Sequence, residues 1–265
     1  MSIVPAVTEM LFAIGAGPRV IAVGSFDKWP PEVGKLTKVG ALLDPDVERI
    51  IGLRPDLVVV YGTQSDLQAQ LDRAGIRTFS YVLGGLGNVT ATIRRLGNAV
   101  GGRARAEEVA TAIESRLEAI RRAVVGKARP RTLLVFGREP GALRGIDASG
   151  GPGFLSDLVE LGGGDNVLAD QKRESLRAST ETILAASPDL IIELHYGQGL
   201  TPDQLARERL VWNELPAIPA VRSGRVVLLM GDQFVIPGPR VVDAAEEIAR
   251  AIAAPSATSS SGRGR

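Results

Sequence analysis

Side chains that could carry out chemistry are scarce in this chain of 265 residues. It contains one histidine, His195, and no cysteine, which excludes thiol catalysis, disulfides, zinc–cysteine centres and iron–sulfur clusters. A serine–histidine–acid site would have to use His195, and the G-x-S-x-G turn of many serine hydrolases is absent. No spacing among the 30 acidic residues singles out a catalytic pair. The sequence therefore argues against an enzyme, a resident metal and a bound cofactor.

Ligand binding has more support, because aromatic residues are rare and several directly follow predicted strands. The chain has two Trp, three Tyr and six Phe residues. Those that follow a strand are Phe26, Tyr61, Tyr196 and Phe234. In open α/β sheets, ligands bind outside the carboxyl ends of the strands, in pockets with mostly apolar and aromatic walls. We predict that these aromatic residues line a ligand site, together with His195 beside Tyr196.

A repeated block supplies the elements that position these residues. Residues 48–59 and 181–192 share Glu, Ile, Pro, Asp and Leu at a single offset. In the first copy a helix ends before Pro55, because proline pushes the preceding residue toward extended geometry, and an apolar run predicts a buried strand. The second copy has Pro188 at the same place. Helices alternating with buried strands indicate parallel α/β sheets.

A second repeated phrase extends the duplication. Leu11, Ile14, Gly15, Gly17 and Val20 are matched in order by Leu158, Leu161, Gly162, Gly164 and Val167. Repetition at such a long period predicts two similar lobes with a ligand cleft between them rather than a solenoid. Glycines 162–164 lack the ending of a phosphate-binding loop and are expected to end a helix. Further strands are predicted at 20–23, 78–82, 132–136 and 226–229.

One long amphipathic helix is predicted between the lobes. Apolar residues from 104 to 125 fall on one helical face. We therefore expect an α/β protein with two similar lobes and parallel-type sheets joined by one long α-helix. The expected divisions are an N-terminal lobe at 1–100, the connecting helix at 101–129, a C-terminal lobe at 130–254 and a disordered tail at 255–265.

Bulk composition excludes several partners. With 31 basic and 30 acidic residues the net charge is +1, and no basic stripe with interleaved aromatic residues indicates nucleic acid binding. No apolar stretch is long enough for a transmembrane helix. A monomer that binds a small molecule is expected.

Five segments resemble the periplasmic binding proteins of ABC importers for vitamin B12, haem and iron siderophores. They run nearly end to end: the opening strand–loop–helix at 2–11, WPPE at 29–32, GGDNV at 163–167, WNELP at 212–216 and AVRSGRV at 220–226. The helix–Pro-Asp–strand blocks also match in both lobes. Each motif is modest alone, whereas their common order is specific. The resemblance implies two α/β lobes joined by one long helix.

The resemblance also implies roles for particular residues. In vitamin B12 members one glutamate per lobe docks onto arginines of the permease, and the matching residues here are Glu48 and Glu181. Helix-dipole stabilisation is the alternative role of these two acids. The implied ligand-binding residues, combined with the strand-end residues above, are Pro5, Phe26, Trp29, Leu42, Tyr61, His195, Tyr196, Asp232 and Phe234.

The ligand itself is left open among three classes. Cobalamin-binding members have several cleft tryptophans, and those positions hold Leu42, Tyr61 and Ser175 here, while Ile236 stands where an arginine is expected. Cobalamin or a related corrinoid is the first expectation. Haem or a ferric siderophore is the alternative, with Tyr61, His195 or Tyr196 as an axial ligand.

Two alternatives belong to other functional classes. A nitrogenase-like oxidoreductase scaffold would hold its clusters through cysteines, which this chain lacks. A cytoplasmic corrinoid carrier would fit a chain without an export signal. Family members carry such a signal or a lipoprotein cysteine before the first strand. We therefore expect a truncated start, and a periplasmic or extracytoplasmic native protein.

Overall fold

Alternating helices and strands build two units in the computed structural model, which describes residues 1–197 and 199–255. Unit one holds residues 1–115 and 236–239; unit two holds 116–235 and those from 240 onward. The helices are α1 Pro5–Ala13, α2 Val47–Gly52, α3 Ser65–Arg73, α4 Leu86–Ala99, α5 Arg103–Val124, α6 Phe154–Leu161, α7 Thr180–Ala186, α8 Pro202–Val211, α9 Pro219–Arg222 and α10 Val241–Ala253. The strands are β1 Ala22–Val23, β2 Thr37–Lys38, β3 Leu57–Tyr61, β4 Arg77–Tyr81, β5 Arg131–Gly137, β6 Ile146–Ser149, β7 Asp165–Asn166, β8 Ser175–Ala178, β9 Leu190–His195 and β10 Val226–Met230.

The first residues of the chain complete the sheet of unit one. Strand β1 pairs in parallel with β2, and β3 with β4. Ser2 forms parallel bridges to both Val23 and Val59, so residues 1–3 lie between the two pairs. The side chains of Ile3, Val58 and Val60 are buried in one apolar cluster with Ile50 of α2. The carboxyl ends of parallel strands meet at one edge, which brings the loops after β1 and β3 together.

The repeated block forms the predicted helix, turn and strand in both units, with one correction. Helices α2 and α7 are capped by Asp46 and Ser179, whose side chains accept backbone N–H groups of the first turn. The residues before the two prolines are not extended: Arg54 and Ser187 have φ of 47° and 44°. Proline excludes the right-handed helical region, and a left-handed residue ends each helix instead.

The second repeated phrase forms the same kind of helix ending in both units, with the second ending one residue later than the sequence match places it. At the end of α1, Gly15 has φ 78° and the N–H of Ala16 donates to the carbonyl of Leu11. At the end of α6, Gly163 has φ 88° and the N–H of Gly164 donates to Val159. Both are the six-to-one bonds of a Schellman ending, which favours glycine at the left-handed position. The prediction that glycines 162–164 end a helix is therefore confirmed.

The predicted long helix is present as α5, within one residue of the apolar pattern at 104–125 and shorter than the connector expected at 101–129. The division between the two units falls inside it, after Ser115. No helix among residues 1–197 and 199–255 is long and apolar enough to cross a membrane. Most of the predicted tail, residues 256–265, lies outside the described residues.

The sheet of unit two is mixed rather than wholly parallel. Strands β10, β9 and β5 pair in parallel with β7 beside β5, whereas β6 and β8 add antiparallel pairings. A short loop after β5, with Gly141 and Gly145 at positive φ, reverses the chain directly. Parallel pairing would require a longer crossover. This edge was not predicted, because β6 and β8 are short and mix polar with apolar residues.

Candidate functional site

The loops at the strand ends of unit one enclose a mostly apolar pocket of about 640 Å³. Four of the predicted binding residues line it: Pro5, Phe26, Leu42 and Tyr61. Phe26 is 70% exposed and Leu42 is also exposed, so both offer apolar surface to a ligand. The Tyr61 ring meets that of Tyr81 edge-on at 5.9 Å.

Hydrogen bonds from Gln64, which follows β3, fix two sides of this pocket. Its amide nitrogen donates to the carbonyl of Leu42 at 2.8 Å, and its amide oxygen accepts the N–H of Tyr61 at 2.9 Å. Gly40 opens the loop that carries Leu42 with φ 83°, and a Cβ there would clash with the backbone of 44–46. The sequence reasoning missed Gln64, since its role depends on two loops distant in the chain.

A buried carboxyl, that of Asp27, also lines the pocket. Asp27 is 3% exposed, and neither carboxyl oxygen has a hydrogen-bond partner of good geometry among the residues that the structure describes. Burial raises the pKa of Asp27 to about 6; the Thr8 hydroxyl, the Lys38 ammonium and the Gly24 backbone oppose this shift, and the Glu9 charge adds to it. Burial, and then the charge of Asp27, raise the pKa of Tyr61.

Trp29 lies on the same loop but not in the pocket wall. Its side chain is 46% exposed, and it precedes Pro30 through a cis peptide bond. Trp29 therefore offers separate apolar surface in unit one.

In unit two, His195 and Tyr196 border a smaller pocket of about 220 Å³. Its inner wall contains Arg138 and Glu193, whose side chains are each 2% exposed and whose Nε and Oε1 atoms are 3.0 Å apart. The Nε2 atom of His195 is 2.9 Å from the same oxygen. Neither contact has hydrogen-bond alignment; the first pairs opposite charges, and the second places an imidazole nitrogen against the carboxylate. Tyr196 is 49% exposed.

Trp212 and Glu208 also belong to this buried charge cluster. The indole N–H of Trp212 donates to Glu193 Oε2 at 2.7 Å, and Arg138 Nη2 lies 2.8 Å from a carboxylate oxygen of Glu208. Burial favours the neutral form of Glu193, but the adjacent His195 imidazole, the Trp212 hydrogen bond and the Arg138 charge outweigh burial and lower its pKa. The sequence feature that could have indicated this cluster is Glu193 itself, a charged residue inside the otherwise apolar run of β9.

The last two predicted ligand residues differ in exposure. Asp232 is half-buried, and its carboxylate accepts the N–H of Gly197 at 2.8 Å, which fixes the loop after Tyr196. Phe234 is fully buried, so its ring packs inside the protein and offers no surface to a ligand in this structure.

Glu48 and Glu181 hold equivalent, exposed places. Each is the second residue of its helix, α2 or α7, in the first turn behind a side-chain cap. The Ser179 hydroxyl, then the Glu181 backbone N–H and the Thr180 hydroxyl, lower the pKa of Glu181. Both carboxylates therefore lie exposed in the first turn of their helices.

A cluster of three or more His, Cys, Asp or Glu side chains suited to a metal ion does not occur in the parts of the chain that the structure describes.

Comparison with known proteins places these features in context. A family model described as periplasmic binding protein matches residues 2–232. A vitamin B12-binding protein of Salmonella typhimurium is 30% identical over 94% of this chain and 87% of its own length. A Bacillus subtilis protein named as an uncharacterized ABC transporter substrate-binding lipoprotein, YvrC, is 28% identical over 95% and 79%.

A solved structure of a periplasmic heme-binding protein, BhuT, in complex with two hemes also has a similar fold. Its TM-score is 0.79 at 23% identity, covering 95% of this chain and 98% of that one. At that identity the likeness concerns the fold alone.

Proposed function

The chain belongs to the periplasmic binding protein family, and from that premise we propose that it captures cobalamin or a related corrinoid for an ABC permease. Members of this family are binding proteins rather than enzymes. The identity of the ligand is a more specific proposal than membership of the family. It rests on the pocket of unit one and on the names of the relatives.

The pocket of unit one is the observation that carries the proposal. It combines exposed apolar side chains, Phe26 and Leu42, with one buried acceptor, Asp27. Pockets for small molecules have this composition: apolar walls with a few polar groups that orient the ligand. A corrin ring has a broad apolar face and an amide-bearing rim, and both would find partners here.

The chemistry of Tyr61 and His195 favours a corrinoid over haem. Tyrosine ligates haem iron as a phenolate, and the raised pKa of Tyr61 opposes that form. His195 has its Nε2 atom against Glu193. A corrinoid brings its cobalt already chelated by the macrocycle and needs no ligand from the protein. These features support a corrinoid as the ligand, in agreement with the name of the vitamin B12-binding relative.

Haem is the second candidate, and one observation favours it. Tyr196 is half exposed at the edge of the smaller pocket, where a phenol can reach an iron centre. The variant Tyr196→Phe separates the two ligands, since it removes the only atom of that side chain able to bind iron.

For delivery, we propose that Glu48 and Glu181 bind arginines of the permease. Carboxylate–guanidinium pairs are charge-assisted and fix orientation, and exposed complementary charges speed encounter. Helix-dipole stabilisation alone would apply equally to Asp66 and Asp203, the second residues of α3 and α8, which are also exposed. Those two acids are matched controls. Docking to a permease implies an extracytoplasmic location, which we also propose for the native protein.

Titration of the purified protein with cyanocobalamin, hemin and a ferric siderophore tests the ligand. We expect saturable binding of cyanocobalamin by calorimetry and visible absorbance, weakened by Phe26→Ala. Leu210→Ala, which removes an exposed apolar side chain from α8, is the control and should have no effect. Binding of hemin alone, abolished by Tyr196→Phe, would favour haem transport. No binding of the three would refute the ligand class.

A further inference from the structure

The carboxyl of Asp27 is a buried polar group without an evident partner. About nine in ten buried polar atoms in proteins form hydrogen bonds, so each exception requires an explanation. Both Asp27 oxygens are inaccessible and lack an aligned donor among residues 1–197 and 199–255. The exception lies in the wall of the largely apolar pocket of unit one, where a ligand is expected.

The neighbours of Asp27 direct their aligned hydrogen bonds to other groups. The Thr8 hydroxyl donates its one proton to the carbonyl of Val4 at 3.2 Å. The Lys38 ammonium donates to the backbone carbonyl of Asp27, not to its carboxyl, at 2.8 Å. On the third side, a Cβ on Gly24 would lie only 2.7 Å from Asp27 Oδ2, so the backbone there packs directly against the carboxyl.

The charges around Asp27 are mixed, since the Lys38 ammonium favours its ionised form and nearby acids oppose it. The buried carboxyl of Glu9, on α1, acts on Asp27 as a like charge. Asp44, in the loop beside Leu42, adds a second acid to the pocket wall. A ligand that presents carboxylates would meet repulsion here, whereas one that presents N–H donors would supply the missing partners.

We infer that Asp27, whose oxygens are covered in the ligand-free protein and must be uncovered on binding, is the specificity-determining acceptor of the unit-one pocket, and that it selects ligands with amide or ammonium donors over ligands with carboxylates. The inference deepens the proposed function and rests on it for the tetrapyrrole class. Within that class it predicts the groups at the edge of the macrocycle: carboxamide side chains as in intact corrinoids, rather than the propionates of haem. A hydrogen bond to a charged group contributes about 1.5–3 kcal/mol, which corresponds to roughly a tenfold to hundredfold preference.

The test compares amide with carboxylate forms of two macrocycles. Dissociation constants are measured at pH 7.5 for cyanocobalamin, a corrinoid with its side-chain amides hydrolysed, hemin, and hemin bis-amide. The wild type should prefer the amide form of whichever macrocycle it binds by at least about tenfold. Asp27→Asn, which is isosteric and brings its own donor, should reduce that preference to about threefold or less. Asp66→Asn, exposed on α3 and outside the lining of this pocket, should retain it.

The outcomes separate this inference from the proposed function. Preference for hemin bis-amide over hemin, without cobalamin binding, would refute the corrinoid assignment and support the role of Asp27. Equal affinity for both forms in the wild type would overturn that role, as would an amide preference that survives in both Asp27→Asn and Asp27→Ala. Binding of none of the four ligands would overturn both.

Discussion

Replacing Asp27 by asparagine should stabilise the ligand-free protein, and by an amount that depends on pH. In the folded protein the Asp27 carboxyl is buried without an aligned donor, and its pKa rises from 3.8 to about 6. The folded protein therefore holds this proton more tightly than the unfolded chain. Its free energy of unfolding falls as pH rises through that interval and stays lowered above it.

The size of the effect follows from the shift. Each pKa unit corresponds to about 1.4 kcal/mol, so an ionised Asp27 destabilises the folded protein by about 3 kcal/mol at pH 7. Asparagine cannot ionise and has nearly the same volume. We expect Asp27→Asn to raise the free energy of unfolding by about 2–3 kcal/mol at pH 7, with the gain vanishing near pH 4.

Urea unfolding of the ligand-free protein, followed by circular dichroism at several pH values between 4 and 8, measures this difference. The exposed Asp44 gives the control, because Asp44→Asn should produce no pH-dependent gain. A gain of the same size at pH 4 and pH 7 would point to packing rather than ionisation. No gain at pH 7 would refute the account of Asp27 as an ionised group without a partner.

Two further predictions concern unit two and the docking acids. Glu193→Gln should lower the free energy of unfolding by about 1–3 kcal/mol at pH 7, because the buried Arg138 charge loses one of its two carboxylate partners and keeps Glu208. Its lowered pKa makes this stabilisation present above about pH 4.5 and lost on acidification, so urea unfolding at pH 4 should show a smaller loss; an unchanged loss would contradict this. Glu48→Arg with Glu181→Arg should abolish permease-dependent uptake and leave cyanocobalamin affinity intact. The arginine variants of the second residues of α3 and α8 should retain uptake, and a fall in affinity would assign the two glutamates to the fold or to ligand binding.

The parallel strands were predictable from the sequence because their signals are local. The runs that begin β3 and β10 are apolar over at least four residues, and the run that begins β9 is apolar over three. A proline precedes β3 and β9 by two positions. Helix α5 was predictable since its apolar residues recur at helical spacing over six turns' length, within one residue of the observed bounds. Such signals need no knowledge of distant residues.

The polar groups of the two pockets were not predictable in the same way. Asp27 lies in the loop after β1 between Phe26 and Lys28, and residues of α1 and β2 that are distant in the sequence lie close to its buried carboxyl. Gln64 acts on Leu42, 22 positions away. A sequence shows an acid or an amide at these positions but does not show which groups surround it, so burial and satisfaction of polar atoms appear only in three dimensions.

The repeat itself distinguishes what the fold needs from what a site needs. At the offset between Glu48 and Glu181, Val60 of β3 corresponds to Glu193 of β9, and both are buried. Because valine serves at this strand position in unit one, the strand does not require a charge there. The carboxylate in turn requires Arg138 and Trp212 around it, and a buried ion pair adds little net stability over apolar residues of similar volume. Its distinctive local consequence is the placement of His195 at the edge of the smaller pocket. The two units therefore share the positions that shape the backbone, and they differ where side chains meet a pocket.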